Sequence, residues 1–301
     1  MTPTDPVVEI RDLTRRFGGH TALDGVSLAL TRGSVLGLVG VNGSGKTTII
    51  KHILGLLQAQ SGSVRVFGLD PVRDPVAVLS RLGYLSEDCD LPNWMTVGEL
   101  LRYTGSFHKG WDTPYALSLC REFGLDPGAK VSALSRGLRA RAGLVTALGH
   151  RPELLVLDEP SGGLDPLARR DILQAIVRTV SGAGATVLFS SHLLDEVERV
   201  ADHVALIDSG KVIFHGELDA VRGRHRRLTL HFSEPRSAPP ALSGVLSWEG
   251  GGHEWTAVCQ GELDELLRSA ADAGGKVVEE SVPRLDDLLA AHANATGRAG
   301  R

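Results

Sequence analysis

Residues 39–49 read VGVNGSGKTTI, and Gly40, Gly43, Gly45, Lys46 and Thr47 fit the spacing G-x-x-x-x-G-K-[ST]. Glycine weakens a helix or strand interior by about 1 kcal/mol relative to alanine, so this density of glycine has to serve the backbone. A loop without Cβ bulk, running from Gly40 through Asn42, Gly43, Ser44 and Gly45 to Thr48, wraps its N–H groups round an anion. The helix beginning near Lys46 adds unsatisfied N–H groups and the positive end of its dipole. In this pattern Lys46 reaches the β- and γ-phosphates and Thr47 ligates Mg2+ through its hydroxyl. The alternative is a glycine turn with a surface lysine, and the strand before and helix after argue against it.

The stretch LLVLDEPSGGLDP, residues 154–166, ends a buried apolar run on two carboxylates. In a parallel sheet Asp158 then stands beside the phosphate loop as a ligand for Mg2+, directly or through water. Glu159, next in the chain, points at the γ-phosphate to polarise an attacking water. Capping of the following turn is the plainer use for such a pair. His192, in SSHLLDEVE, follows another strand and falls on the same carboxyl edge, where open α/β sheets bind ligands. There it serves as a donor to the γ-phosphate; a half-buried packing histidine is the other reading.

These residues need strands and helices to position them. Short strands are expected at 7–12, 26–30, 34–40, 62–68, 154–158 and 186–191. Helices are expected at 47–57, 167–180 and 193–201, a mostly helical stretch from about 93 to 150, and a hairpin at 203–216. Composition shifts at RGRHRR, 222–227. Beyond it strands at 227–232, 254–260 and 276–282, helices at 262–274 and 283–292, and a proline-rich loop at 233–244 make a small α+β unit of domain size. The basic run itself reads as a solvated linker, with a patch for lipid headgroups or nucleic acid as the alternative.

Bulk properties narrow the classes. The chain has 301 residues, enough for one large and one small domain, with 42% apolar residues and a net charge of −4, which gives no general attraction to nucleic acid. Its three cysteines, Cys89, Cys120 and Cys259, are too few and too scattered for a disulfide framework or a zinc site, which suits a reducing cytosol. MTPTDPVVEI has no basic segment leading into an apolar one, so no signal peptide is expected, and no apolar run reaches the ~18 residues of a membrane span.

Taken in order, the motifs resemble the nucleotide-binding subunit of ATP-binding cassette (ABC) transporters. The discriminating piece is ALSRGLRARAGLVTAL, residues 133–148, shortly before the acidic strand; it is similar to the family's L-S-G-G-Q signature with its basic helix. Ser135 and Gly137 stand where the signature has serine and second glycine, and an N-capped amphipathic helix is the competing reading. By the same resemblance Phe17 stacks on adenine (a core role is the alternative), Glu87 lies in the loop linking the ATPase core to the helical subdomain, and Asp165 makes the acidic contact of the loop SGGLDP across a dimer interface. The likeness spans about residues 7–218. It implies an α/β fold: a P-loop NTPase parallel-sheet core with an antiparallel β subdomain and a helical subdomain (about 93–150) in residues 1–220, then a small α+β domain, regulatory or dimerising, in 221–301. It implies ATP and Mg2+, a head-to-tail dimer with a second ABC ATPase subunit, and a separate transmembrane permease reached through the surface around Glu87 and Trp94. It further implies peripheral location on the cytoplasmic face of the membrane and no nucleic-acid partner. One cassette with a tail of this size is similar to bacterial multi-component transporters of exporter type.

Three positions depart from the family pattern. Glu87 replaces the usual glutamine, keeping an oxygen for Mg2+ or water but adding negative charge beside a triphosphate. Arg136 replaces the first signature glycine, trading flexibility for a cation, and Leu138 replaces the signature glutamine. Two readings stand beside the transporter ATPase: a soluble ABC-type ATPase acting on nucleic acid or ribosomes, and a catalytically weak cassette used as a switch.

Overall fold

The computed structural model describes residues 6–295. β1 (Val8–Phe17) and β2 (His20–Leu30) pair antiparallel, from Val8 opposite Leu30 to Phe17 opposite His20. Both run further than the sequence pattern implies. Register shifts between Ile10 and Arg16 disturb the period-2 alternation while leaving the pairing in place. β3 (Val35–Val39), buried at every residue, leads into α1 (Lys46–Ile53). α1 stops short of residue 57 because Gly55, at φ 72°, turns the chain against Pro71 so closely that a Cβ there would overlap the Pro71 carbonyl. β4 (Ser61–Val66) joins the far side of β1, completing an antiparallel sheet of order β2-β1-β4.

In this part of the chain α2 (Pro75–Leu79) and β5 (Leu82–Leu85) were not expected from sequence. Each is too short for a periodicity signal. Helices α3 (Val97–Gly105), α4 (Thr113–Glu122) and α5 (Arg136–Leu148) fill the stretch expected to be helical. Each starts on a side-chain cap: Thr96 in a capping box with Glu99, then Asp112, then Ser135. β6 (Leu154–Leu157), α6 (Pro166–Ala183), β7 (Thr186–Ser191), α7 (Leu194–Val200), β8 (His203–Asp208) and β9 (Lys211–Glu217) follow.

The second sheet has order β5-β6-β7-β3-β8-β9. The pairs β5/β6, β6/β7, β7/β3 and β3/β8 are parallel, so the carboxyl ends of β3, β6 and β7 share one edge. β6 and β7 are buried throughout, as strands covered on both faces must be. A parallel-sheet core, an antiparallel β sheet and a helical stretch agree with the expected P-loop α/β architecture.

The chain divides between His215 and Gly216, inside β9, into two compact units, a few residues before the boundary of 220 and 221 read from composition. In the second unit α8 (Leu218–Gly223) precedes β10 (His225–Arg236), β11 (Val245–Gln260), α9 (Leu263–Asp272), β12 (Lys276–Ser281) and α10 (Leu285–Ala295). The three strands form an antiparallel sheet of order β11-β10-β12. β10 continues to Arg236, into the stretch expected to be a proline-rich loop, and β11 begins nine residues before Glu254 and carries the glycines 250–252. Gly250 and Gly252 take φ values of 103° and 63°, and the pairing shifts register there, so this glycine patch forms an irregular ribbon.

Candidate active site

The loop after β3 closes on itself by backbone contacts that only glycine permits. A Cβ on Gly40 would overlap the carbonyl of Ile207 at the end of β8, and one on Gly45 would stand 2.9 Å from the Ala22 carbonyl. Gly45, at φ 116°, occupies the N-cap position of α1. Gly43, at φ 80°, faces open space, so there the conformation and not the packing demands glycine. Ser44 N donates to Val41 O at 3.1 Å, and the buried Ser44 hydroxyl has no hydrogen-bond partner among the described residues. Lys46 is only 5% exposed; its Nζ curls back to donate to Gly40 O at 2.6 Å and Val41 O at 3.3 Å. An ammonium held by two carbonyls of the glycine loop, and facing the Glu159 carboxylate at 3.1 Å, is positioned for an anion.

β6 and β7 bring the acidic group alongside. Asp158, 2% exposed, accepts from Ser190 Oγ at 2.7 Å and from Thr47 Oγ1 at 3.3 Å. Ser190 Oγ in turn accepts from Glu159 N at 2.8 Å. Glu159 Oε2 accepts from His192 Nδ1 at 2.7 Å and His192 N at 3.3 Å. An ionised carboxylate only accepts, so His192 Nδ1 carries the proton of that bond. Glu159 Oε1 faces Lys46 Nζ at 3.1 Å as an ion pair but receives no hydrogen bond. It is therefore the oxygen with capacity to take a proton from a water.

A cleft of about 490 Å3 opens onto part of this group; Gly40, Ser44, Asp158 and His192 are not among the residues that line it. Asn42, Gly43, Gly45, Lys46, Thr47 and Thr48 line it, with Phe17, Glu87 and Glu159. Phe17 is 45% exposed at the end of β1, which excludes a core role; Arg15 lies 4.7 Å over its ring. Thr47 and Asp158 are hard oxygen donors of the kind Mg2+ takes, close enough to share one ion, and Glu87 lines the cleft with Thr47.

Ser135, Arg136, Gly137 and Asp165 do not line this cleft. They form a second group of their own in the same unit. Ser135 Oγ caps α5 by accepting from Leu138 N at 3.3 Å. Exposed Arg136 lays its guanidinium against Gly163, and Gly137 packs beside Asp165. Asp165 Oδ1 accepts from Leu167 N and Ala168 N, and those N–H groups, Ala168 first, hold its carboxyl below the usual range.

Sequence reasoning missed Ser190, whose single hydroxyl ties Asp158 to the backbone of Glu159, and Ser161, Ser191 and Glu196, which form a buried cluster. Two adjacent serines ending an otherwise apolar buried strand were the available signal, since a buried hydroxyl needs a polar partner.

Residues 23–162 match the family described as ABC transporter. The chain is 36% identical over 223 residues to the daunorubicin resistance ATP-binding protein DrrA3 of Streptomyces coeruleorubidus, covering 72% of this chain and 70% of that one. It is 32% identical over 226 residues to the bacitracin transport ATP-binding protein BcrA of Bacillus licheniformis, covering 73% of each. A solved ATP binding subunit of an ABC transporter superposes with a TM-score of 0.67 at 30% identity, over 72% of this chain and 92% of that one.

Proposed function

The chain belongs to the ABC transporter family as an ATP-binding protein, and from that premise we propose that the cleft between the phosphate loop and the end of β6 binds ATP and hydrolyses it to drive a transporter. The observation that carries this reading is the meeting of Lys46 Nζ and Glu159 Oε1 at 3.1 Å, beside Thr47 and Asp158, at the mouth of one glycine loop.

Phe17 offers its exposed face to adenine, and the N–H groups from Gly40 to Thr48, with Asn42 and Ser44 in the loop, surround the phosphates. Lys46 exchanges the Gly40 carbonyl for the β- and γ-phosphate oxygens. Thr47, Asp158 and Glu87 would hold Mg2+, which would supply positive charge to offset the charge developing on the phosphate oxygens. Glu159 Oε1 orients the attacking water and accepts its proton, while His192 fixes Oε2 and contacts the γ-phosphate region. Because Ser135, Arg136, Gly137 and Asp165 do not line this cleft, they serve the nucleotide of a second cassette, so that ATP is shared across a homo- or heterodimer. ATP favours closure because its γ-phosphate is held by both subunits in the closed state alone.

Among the described residues no helix is long and apolar enough to cross a membrane. In this reading transport rests on a separate permease, with the cassette peripheral on the cytoplasmic face. Trp94, 73% exposed, and the edge-to-face pair Tyr103 and Phe107 give the helical stretch an apolar surface suited to that contact. The relatives named for drug resistance and bacitracin transport support an exporter, and nothing in the charge balance favours nucleic acid. Calorimetric titration of the purified chain tests the core of this reading. MgATP binds, ATP without Mg2+ binds more weakly, and Lys46→Ala loses at least about tenfold in affinity, or roughly 1.4 kcal/mol. Binding that ignores both Mg2+ and Lys46 rejects it.

A further inference from the structure

A buried carboxylate close in sequence to His192 takes no part in the proposed reaction. Glu196, in the first turn of α7, is 1% exposed. Its Oε2 accepts from Ser161 Oγ at 2.6 Å and from Ser191 Oγ at 3.2 Å. Its Oε1 faces Arg169 Nε, from α6, at 3.1 Å as an ion pair. Both hydroxyls are themselves buried, at 1% and 0% exposure. Ser191 Oγ also accepts from Leu193 N at 3.0 Å, which turns the chain just past His192.

The two serines are placed two residues after Glu159 and one before His192. The arms that carry this pair continue two neighbouring strands, β6 and β7, whose pairing ends at Leu157 opposite Phe189, before either arm begins. Glu196 reaches both arms with one oxygen. A buried carboxylate is expensive to keep without partners, and this one draws on three separate segments: two hydroxyls donate to Oε2, and a guanidinium faces Oε1 as an ion pair without a hydrogen bond. We propose that Glu196 is a positioning residue: the brace that fixes the Glu159 and His192 arms against each other, so that Glu159 Oε1 stays aimed into the cleft. The phosphate loop takes no part in this brace. It is tied instead to Ile207, Ala22 and Gly210, the last donating from its N to Ser44 O at 2.9 Å. Loss of the brace should therefore disturb turnover and leave nucleotide affinity alone. Misplacement of a reacting group by about 1 Å costs on the order of 100-fold in rate.

This inference rests on the ATPase reading for its kinetic part only, so the test pairs kinetics with a measurement that needs no turnover. The purified full chain and its Glu196→Ala, Glu196→Gln and Ser161→Ala variants are compared. Glu196→Ala lowers kcat by about 10- to 100-fold while KM and the MgATP Kd stay within about threefold. Glu196→Gln keeps an acceptor for both hydroxyls and recovers most of the rate. Ser161→Ala, which buries no unpaired charge, gives a smaller fall in kcat with KM unchanged, and decides the matter should Glu196→Ala not fold. Amide hydrogen exchange, read without nucleotide, rises together in segments 159–163 and 190–193 and not in 40–48. Unchanged kcat with unchanged exchange overturns the proposal. So does a parallel loss of kcat and affinity with exchange rising across 40–48, which marks general destabilisation. Coupled exchange in a chain with no ATPase activity supports the brace and rejects the ATPase reading instead.

Discussion

Glu159 stands in the left-handed backbone region at φ 46°, where a side chain with a Cβ costs about 1–2 kcal/mol. Three contacts hold it there: Ser190 Oγ accepts its N–H, its carbonyl accepts from Gly162 N at 3.0 Å, and its Oε2 is occupied by His192. Strain maintained by so many partners belongs to a site whose geometry matters more than its local stability. The turn lifts the carboxyl off the line of β6 and swings Oε1 toward Lys46, while Asp158, one residue earlier, points at Thr47. Two neighbouring carboxylates thus acquire separate tasks. Glu159→Gln keeps the shape and the contact with His192 but removes the proton acceptor. Phosphate release should fall by at least about 100-fold, the usual weight of a general base, with MgATP affinity unchanged in calorimetry. Turnover at the original rate would transfer the role to another group.

At the level of elements, one ring and two glycines lock the helices of the helical stretch together. Trp111 fits between Gly105, the last residue of α3, and Gly149, just past α5, so closely that a Cβ at Gly149 would overlap the indole. The adjoining His150, 8% exposed, stacks on His108 with ring centres 3.9 Å apart and reaches Leu82 O of β5 at 3.2 Å. Burial first, then the neighbouring His108, push the His150 ring down to about 4, against the opposing pull of the Leu82 carbonyl. The unfolded chain, with histidine near 6.5, binds the proton more readily, so stability is full above about pH 6.5 and declines as pH falls toward 4. Allowing for partial solvent contact, His150 contributes about 1–2 kcal/mol of that decline. Thermal unfolding between pH 7 and pH 4.5 should show a shallower loss in His150→Gln than in the parent chain; equal slopes would remove His150 as the source. This keying also explains β5. Gly83 lets the strand lie against the Ala147 carbonyl of α5, a tertiary reason for a four-residue strand that no local pattern announces.

For the whole molecule, the division at His215 and Gly216 leaves every residue of the cleft in the first unit. The second unit has its own core, in which Leu228, Leu230, Phe232, Trp255, Ala257 and Cys259 pack with Leu266 and Ala270 of α9. A chain ending after Glu217 keeps β9 entire and should bind MgATP within about threefold of the full chain, a difference below about 1 kcal/mol by titration. Loss of binding would make the second unit part of the site. Much of this organisation is legible in the amino-acid order. The spacing of Gly40, Gly43, Gly45, Lys46 and Thr47 and the apolar run ending at Asp158 announce phosphate chemistry, because backbone shape and burial at those points depend on residues near in sequence. The signature-like run around Ser135 adds the family by resemblance, and the alternation of apolar strands with helices announces a parallel sheet. The packed chain alone settles what depends on partners distant in sequence: β5 against α5, the exposed ring of Phe17, the sixteen-residue ribbon β11, and the meeting of Ser161, Ser191 and Arg169 on Glu196. A buried polar group finds its partners across the fold, and no spacing along the chain records which ones they are.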